Sequence, residues 1–190
     1  MSTIFLIIAL LSGAPQSMLS NEEMVQFAIE NCKRVRNIDT VDKQMLVRVL
    51  AIEDSYNPPK ELRGMTLAAA CLESGFNPLA KGDRKFSKKR KPKAIGMFQM
   101  WKWWEKFYGI KRTDPEQAAD AWMRHIVRQI PKVKKKCRYK KDKSVWVAAW
   151  VTAIRAPKKE GRCREKPLHL RLLMKWHKKL KKQHDATRQN

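Results

Sequence analysis

Long apolar runs are missing from this sequence. No part of its 190 residues approaches the ~18 to 20 consecutive apolar residues that a helix needs to cross a bilayer. This absence excludes a polytopic membrane protein. The only membrane-like feature is a short apolar run at residues 4–11.

That short run lies within residues 1–20, which carry no charged side chain. The run has the length of the apolar region of a secretory signal peptide, and the small residues 12–14 follow it. No Lys or Arg precedes the run, and a proline would directly follow a cut after residue 14. Cleavage after Ser17 or Ser20 and retention as an N-terminal anchor are both open. We expect a secreted or periplasmic protein.

Acidic residues are scarce, since 18 Asp and Glu stand against 42 Lys and Arg and leave a net charge of +24. The excess lies in three segments of eight basic residues each, 81–93, 132–143 and 166–190. The rest of the chain is nearly neutral. Such a charge distribution favours a polyanionic partner, whether nucleic acid, an anionic membrane surface or a cell-wall polymer.

The four cysteines include no C-x-x-C pair, which argues against a zinc ribbon or a redox motif. An even set of cysteines favours two disulfides and an oxidising compartment. Of the three possible connectivities we favour Cys137 with Cys163, because they bracket the apolar segment 145–154, and therefore Cys32 with Cys71. The four histidines show no spacing to the cysteines that is typical of a metal site, so we expect no metal and no cofactor.

Sustained alternation of apolar and polar residues is also missing, and nearly every segment has helical periodicity. We expect a mainly α fold with little or no β structure, formed by a single domain over residues 21–190. The predicted helices cover about residues 21–36 with Asn21 as cap, 41–54, 60–74 with Gly75 as the stop, 97–108, 115–130 with Asp114 as cap and Pro131 as the stop, 143–155, and 167 onward.

Two of these predicted helices have informative faces. The helix at 143–155 is apolar on all sides, which predicts the central helix of the domain. The last helix places Leu168, Leu172, Trp176 and Leu180 on one stripe. We expect this stripe to dock the basic helix onto the domain, with a membrane-surface helix as the alternative.

Glu73 interrupts the apolar pattern of the third predicted helix. It directly follows a mostly apolar run and precedes the helix stop at Gly75. Burial and the partial negative charge of a helix C-terminus both favour the protonated form of a carboxyl group. A carboxylic acid that keeps its proton near neutral pH can protonate the leaving oxygen of a glycosidic bond. A buried glutamate paired with an Arg or Lys is the alternative.

Two ordered motifs carry a family resemblance. Residues 73–78 (ESGFNP), followed downstream by residues 94–100 (AIGMFQM), resemble the paired motifs of soluble bacterial lytic transglycosylases, which are related to goose-type lysozymes. The looser resemblance covers about residues 62–153. It implies a lysozyme-like helical fold in which the glutamate of the first motif is the sole catalytic acid and base, and in which the second motif lines the sugar-binding cleft.

The resemblance assigns roles to individual residues. It makes Glu73 the acid and base, Ser74 its hydrogen-bonding neighbour, and Met97 and Gln99 sugar contacts. An amide such as that of Gln99 offers both donor and acceptor to hydroxyl and acetamido groups, and Gly96 would let the backbone approach the sugar. Core packing for Met97 and a local hydrogen bond for Gln99 are the alternatives.

The chain departs from the family in two places. Where the family has Ala-Ala-Tyr-Asn-Ala-Gly in a late helix, residues 148–153 read AAWVTA. Trp150 can take over the stacking of the tyrosine on substrate, but neither the hydroxyl nor the asparagine amide is replaced. The loop at 81–93 is strongly basic and contains Asp83, a candidate second carboxylate that would favour hydrolysis over transglycosylation.

These patterns lead to one functional expectation with two alternatives. We expect a monomeric enzyme that cleaves peptidoglycan glycan strands, held to the anionic cell-wall surface by its basic segments and without a dedicated nucleic-acid partner. A lysozyme-type hydrolase of the same bond is the first alternative. A basic nucleic-acid- or membrane-binding protein is the alternative from another class.

Overall fold

A computed structural model of the chain describes residues 19–84, 91–138, 141–153, 163 and 168–187. These residues form seven α-helices and one small sheet, which confirms the expected mainly α fold. The helices are α1 (Asn21–Asn31), α2 (Lys43–Ser55), α3 (Met65–Ser74), α4 (Trp103–Tyr108), α5 (Pro115–Cys137), α6 (Asp142–Ala153) and α7 (Leu168–Thr187). The strands are β1 (Lys81–Gly82), β2 (Ala94–Ile95) and β3 (Met100–Trp101), antiparallel in the order β1-β2-β3.

Membrane-like features are limited in the described structure. No described helix combines the length and the apolar character needed to span a membrane. The predicted signal segment lies outside the described residues except for Leu19 and Ser20.

Helix α1 begins one residue earlier than expected and ends sooner. Its cap is Ser20, whose hydroxyl accepts a hydrogen bond from the Glu23 amide at 3.2 Å, while the Glu23 carboxylate accepts one from the Ser20 amide at 2.8 Å. The expected cap, Asn21, is the first helical residue. The helix ends at Asn31 because the next residue, Cys32, has an extended conformation with ψ of 103°. Cys32 forms a disulfide with Cys71.

Both expected disulfides are present. Cys32 pairs with Cys71 and ties the end of α1 to α3, and Cys137 pairs with Cys163 beyond the end of α5. The first pair is buried, whereas Cys163 is exposed. Two disulfides fit an oxidising compartment.

Helix α3 is buried at least as fully as α6, which the sequence pattern predicts as the central helix. All of its residues from Met65 to Cys71 are buried, and it contacts α1, α2 and α7. Helix α6 packs mainly against α5. The apolar character of α6 on all sides predicts its burial correctly, since residues 147–151 are all buried.

The helix expected over 97–108 is shorter than its aromatic spacing suggests. Residues 96–99 form a turn and residues 100–101 form β3, so that α4 begins only at Trp103. Gly96 and Gln99 have φ of +85° and +48°, a left-handed conformation that an α-helix does not contain. The two positive φ values break the helix that the apolar periodicity favours.

Helix α5 begins as expected and ends later. The Asp114 carboxylate accepts hydrogen bonds from the amides of Glu116 and Gln117 at 3.1 and 3.0 Å, and Pro115 is the first helical residue. Pro131 does not end the helix, which continues to Cys137. Pro131 and Val127, whose carbonyl loses its helical donor, are both exposed residues, so water can take the place of that donor.

Candidate active site

Glu73 occupies the last turn of α3, immediately before the helix stop. Gly75 ends the helix with φ of +63°, and its amide donates to the Cys71 carbonyl at 3.0 Å. A Cβ atom on Gly75 would lie 2.9 Å from the backbone oxygen of Arg34, so the loop after α1 packs directly on this turn. The position of Glu73 is therefore set by a glycine cap and by a neighbouring loop.

The Glu73 carboxylate is only partly buried, whereas its sequence context predicts burial. Its side chain retains 32% of its exposure, while one oxygen, Oε1, lies 2.9 Å from Nε2 of His169. His169 belongs to α7 and is 5% exposed. The carboxylate thus has a buried imidazole on one side and access to solvent on the other.

The ring of His169 is itself held by aromatic packing. It stacks on Trp150 of α6 with ring centroids 6.2 Å apart and planes 20° from parallel. Trp150 is fully buried and meets Trp122 of α5 edge to face at 5.9 Å. Three helices therefore position the imidazole against Glu73.

His169 is the residue that sequence reasoning missed, and the cause is the assumed face of α7. Leu168, expected on the docking stripe, is 64% exposed, whereas His169, Leu173 and Trp176 are at most 5% exposed. Helix α7 does dock onto the domain, as expected, and it packs on α3 with a stripe shifted by one residue at its start. A histidine on the four- and three-residue spacing with Leu173 and Trp176 was the available signal.

The two motifs lie side by side. The Gly96 amide donates to the Ala80 carbonyl at 2.9 Å, and Nε2 of Gln99 donates to the carbonyls of Ala80 and Gly96 at 3.2 and 2.9 Å. Gly82 makes room for the Gln99 amide, because a Cβ atom there would lie 2.0 Å from its Oε1. The second motif is thus bonded to the segment that follows the first.

A glycine is required at position 96 for a different reason from the expected approach of the backbone to a sugar. A Cβ atom on Gly96 would lie 1.8 Å from the backbone oxygen of Arg112, so the close approach at this glycine is to protein backbone. Arg112 is buried, and its Nη1 donates to the carbonyls of Lys93 and Met100 at 3.0 and 2.9 Å. Its Nε lies 3.0 Å from Glu105 Oε1 as an ion pair without hydrogen-bond geometry. Arg112 therefore fastens both ends of the second motif.

The other predicted site residues occupy different environments. Met97 and Trp150 are fully buried, so their predicted contacts with sugar would require these side chains to become exposed. The Ser74 hydroxyl donates to the Ala70 carbonyl at 3.2 Å within α3. Gln99 is partly buried, with its amide nitrogen engaged by backbone carbonyls.

Asp83, the candidate second carboxylate, is held by a tryptophan. Its Oδ2 accepts a hydrogen bond from Nε1 of Trp101 at 2.7 Å, and its φ is +56°. The Lys93 ammonium lies 5.4 Å from the centre of the Trp101 ring. Asp83 therefore links β1 to β3 in this structure. The loop residues 85–90 lie outside the described residues.

Glu53 is a second unusual carboxylate, and it supports the start of α3. It is fully buried and accepts hydrogen bonds from the Gly64 amide at 2.5 Å, the Thr66 amide at 2.7 Å and the Thr66 hydroxyl at 2.6 Å. Burial is the largest effect and raises the pKa of Glu53 to about 7, against the opposing effect of these hydrogen bonds. The carboxyl caps the N-terminus of the helix whose other end carries Glu73.

We expect Glu53 to make the protein less stable as the pH rises. A folded-state pKa of about 7 against the ordinary value of 4.5 means that the folded protein binds the proton more tightly than the unfolded chain. The resulting stabilisation is complete below about pH 4.5 and is lost as the pH rises through about 7. It amounts to about 3 kcal/mol. Urea denaturation at pH 4.5 and pH 8 measures the change.

The Glu53→Gln variant tests the origin of this pH dependence. The amide does not titrate, so its stability should vary less between the two pH values than that of the wild type, by about 3 kcal/mol. Glu61→Gln, at an exposed glutamate, is the control and should keep the wild-type dependence. Equal pH dependence in Glu53→Gln and the wild type would show that another group is responsible.

Among the described residues, α5 has an exposed and strongly basic face. The exposed cations of α5 are Arg124, Arg128, Lys132, Lys134, Lys135 and Lys136. Arg128 lies 4.6 Å from the ring centre of Phe107, which is 53% exposed. This face combines positive charge with an accessible aromatic ring.

The geometry around Glu73 thus consists of a partly exposed carboxylate, a buried imidazole bonded to it, and a second motif fastened beside its helix. Such a carboxylate can donate a proton to a bound oxygen and take one back. Comparisons with protein-family models, curated proteins and solved structures find no match to this chain.

Proposed function

We propose that this protein cleaves the β-1,4 bond between N-acetylmuramic acid and N-acetylglucosamine in peptidoglycan, with a lysozyme-like fold and with Glu73 as the general acid and base. The observation that carries the proposal is the placement of Glu73. Its carboxylate is partly exposed at the end of a buried helix, and the second motif is hydrogen-bonded to the segment directly after the first. The family resemblance rests on the same two motifs.

The chemistry needs one proton transfer in each direction. Glu73 donates its proton to the glycosidic oxygen while the bond from that oxygen to the anomeric carbon breaks. The carboxylate formed then removes a proton from the hydroxyl that attacks the anomeric carbon. One group can serve both steps because it changes from acid to base between them.

Transglycosylation needs a single catalytic carboxylate, and therefore fits a site in which Glu73 alone is proposed for that role better than hydrolysis does. A glycosidase of the common kind uses two carboxylates, one as acid and the other as base or nucleophile. Asp83, the nearest carboxylate that follows Glu73 in the sequence, is bonded to Trp101. We propose that the C6 hydroxyl of muramic acid attacks its own anomeric carbon, as in the resembled family, and leaves a 1,6-anhydro end.

Digestion of purified peptidoglycan is expected to release muropeptides with 1,6-anhydro-muramic ends. The attacking hydroxyl belongs to the sugar itself, so no water is added and the product is lighter by one water than a hydrolysed one. Mass spectrometry of the digest measures this difference. A digest with only reducing muramic ends would make the enzyme a lysozyme-type hydrolase, and Asp83→Asn would then test Asp83 as the missing base. No release at all would refute the proposed function.

The proposed partners are the glycan strands and the anionic surface of the cell wall. The exposed cations of α5 lie within the described residues, whereas the basic segments 81–93 and 166–190 lie partly outside them. Peptide carboxylates and phosphate-bearing polymers of the wall carry the complementary charge. We propose that the protein acts as a monomer, secreted or in the periplasm after export through its N-terminal segment.

A further inference from the structure

We infer that His169 is a positioning residue for Glu73, acting as a fixed N–H donor that holds one carboxylate oxygen and directs the other toward the substrate. The role in catalysis rests on the proposed function, whereas the hydrogen bond does not. Neither the motifs nor their resemblance includes any residue of α7. The inference starts from the contact of His169 Nε2 with Glu73 Oε1 at 2.9 Å.

The surroundings of the imidazole determine which nitrogen carries the proton. Nδ1 of His169 is buried and has no hydrogen-bond partner in the described structure. A proton on Nδ1, in the other neutral tautomer or in the imidazolium, would bury an N–H group without an acceptor, which is costly. The neutral tautomer with its proton on Nε2 leaves only a lone pair unpartnered. The ring therefore donates from Nε2 to Glu73.

The packing of the His169 ring fixes its orientation toward Glu73. The ring is 5% exposed and stacks on Trp150, which is fully buried. Nε2 is occupied by Glu73 and Nδ1 faces the protein interior, so His169 neither reaches a substrate nor activates a water molecule. Its effect passes through Glu73, which makes it a positioning residue and not a second catalytic base.

The N–H donor helps the reaction at the moment when charge develops. With Oε1 held by His169, the proton of the acid lies on Oε2, and the side chain as a whole keeps 32% of its exposure. As the Oε2–H bond breaks and the proton passes to the glycosidic oxygen, negative charge forms on the carboxylate. The hydrogen bond from Nε2 becomes charge-assisted and strengthens, so it stabilises the transition state more than the ground state.

The His169→Phe and His169→Gln variants separate donation from packing. Phenylalanine keeps a ring on Trp150 but has no donor, whereas the glutamine amide nitrogen can reach the position of Nε2. We expect kcat on a soluble peptidoglycan fragment to fall about 10²-fold in the Phe variant, with KM within about twofold, because the lost interaction belongs to the transition state. The kcat of the Gln variant should be at least about tenfold higher than that of the Phe variant.

Leu168→Ala is the matched control, since it changes an exposed neighbour on the same turn of α7. It should leave kcat unchanged. A Phe variant with wild-type kcat, or a folded Gln variant as impaired as the Phe variant, would overturn the catalytic role. Thermal unfolding of each variant identifies loss of the fold as a cause.

Nitrogen-15 NMR of the histidine rings tests the hydrogen bond without any activity. The spectrum of the wild type, assigned by the signals lost in His169→Phe, should show His169 neutral with its proton on Nε2, and the Nε2 shift should move in Glu73→Ala. A proton on Nδ1, or a signal indifferent to Glu73→Ala, would overturn the inference. If the bond is observed and the wild type cleaves no peptidoglycan, only the proposed function fails.

Discussion

The Glu73→Gln variant is expected to clear a suspension of purified peptidoglycan about 10²- to 10⁴-fold more slowly than the wild type, which is the range attributed to general acid catalysis. The amide keeps the shape of the side chain, and its oxygen can still accept the hydrogen bond from His169. It cannot give up a proton as a carboxylic acid does. The fold should therefore persist while the chemistry stops.

A conservative change at an ordinary glutamate gives the matched control. Glu61 is exposed on the turn before α3, and Glu61→Gln should clear walls at the wild-type rate. The decay of turbidity, read at equal concentrations of folded protein, measures both variants. A Glu73→Gln variant that clears walls at near wild-type speed would remove Glu73 as the acid, and the proposed function with it.

Removal of the Cys32–Cys71 disulfide is expected to have the largest effect on stability. The bridge joins residues separated by 39 positions, and closing a loop of that length lowers the entropy of the unfolded chain enough to stabilise the fold by about 4 kcal/mol. Both cysteines are buried, so a double Ala variant also loses packing. Urea denaturation measures the change in the free energy of unfolding.

The second disulfide serves as the comparison. Cys137 and Cys163 are separated by 26 positions, so their removal should cost about 3 to 4 kcal/mol on the same entropy argument. The first bridge lies beside the site, because Cys71 is two residues before Glu73 and Cys32 leads into the loop packed on Gly75. We expect wall clearing by the folded protein to fall in Cys32→Ala/Cys71→Ala and to persist in Cys137→Ala/Cys163→Ala. Unchanged activity in the first variant would show that the bridge does not position Glu73.

Local signals in the sequence predicted much of the helical framework. Asp114 and Pro115 predicted the start of α5, and Gly75 predicted the end of α3, because a cap or a left-handed glycine acts on its immediate neighbours. The pairing of Cys32 with Cys71 also followed, once the other two cysteines were paired across an apolar segment. The helix ends depend only on residues that are close along the chain. The Cys32–Cys71 pairing follows because only two cysteines remain once the other two are paired.

The errors arose where the outcome depends on the surroundings. A proline such as Pro131 removes one helical hydrogen bond, and on the exposed face of α5 solvent can compensate for that loss. The aromatic spacing before Tyr108 favoured a longer helix, but the bonds of the Gln99 amide to Ala80 and Gly96 hold a turn there. Gly96 suggested room for a sugar, and the space is filled by the backbone of Arg112.

The sequence by itself determined the helical class, the basic charge and the identity of Glu73 as the carboxylate out of place in an apolar helix. Periodicity, composition and a single exceptional residue can all be read along one dimension. Only the tertiary structure decided that His169, 96 positions away, meets Glu73, and that Trp150 lies behind His169 and away from solvent. The docking angle and rotation of α7 bring these residues together. They depend on how three helices pack at once, so the spacing of His169 with Leu173 and Trp176 can indicate a buried face but not the residue that this face meets.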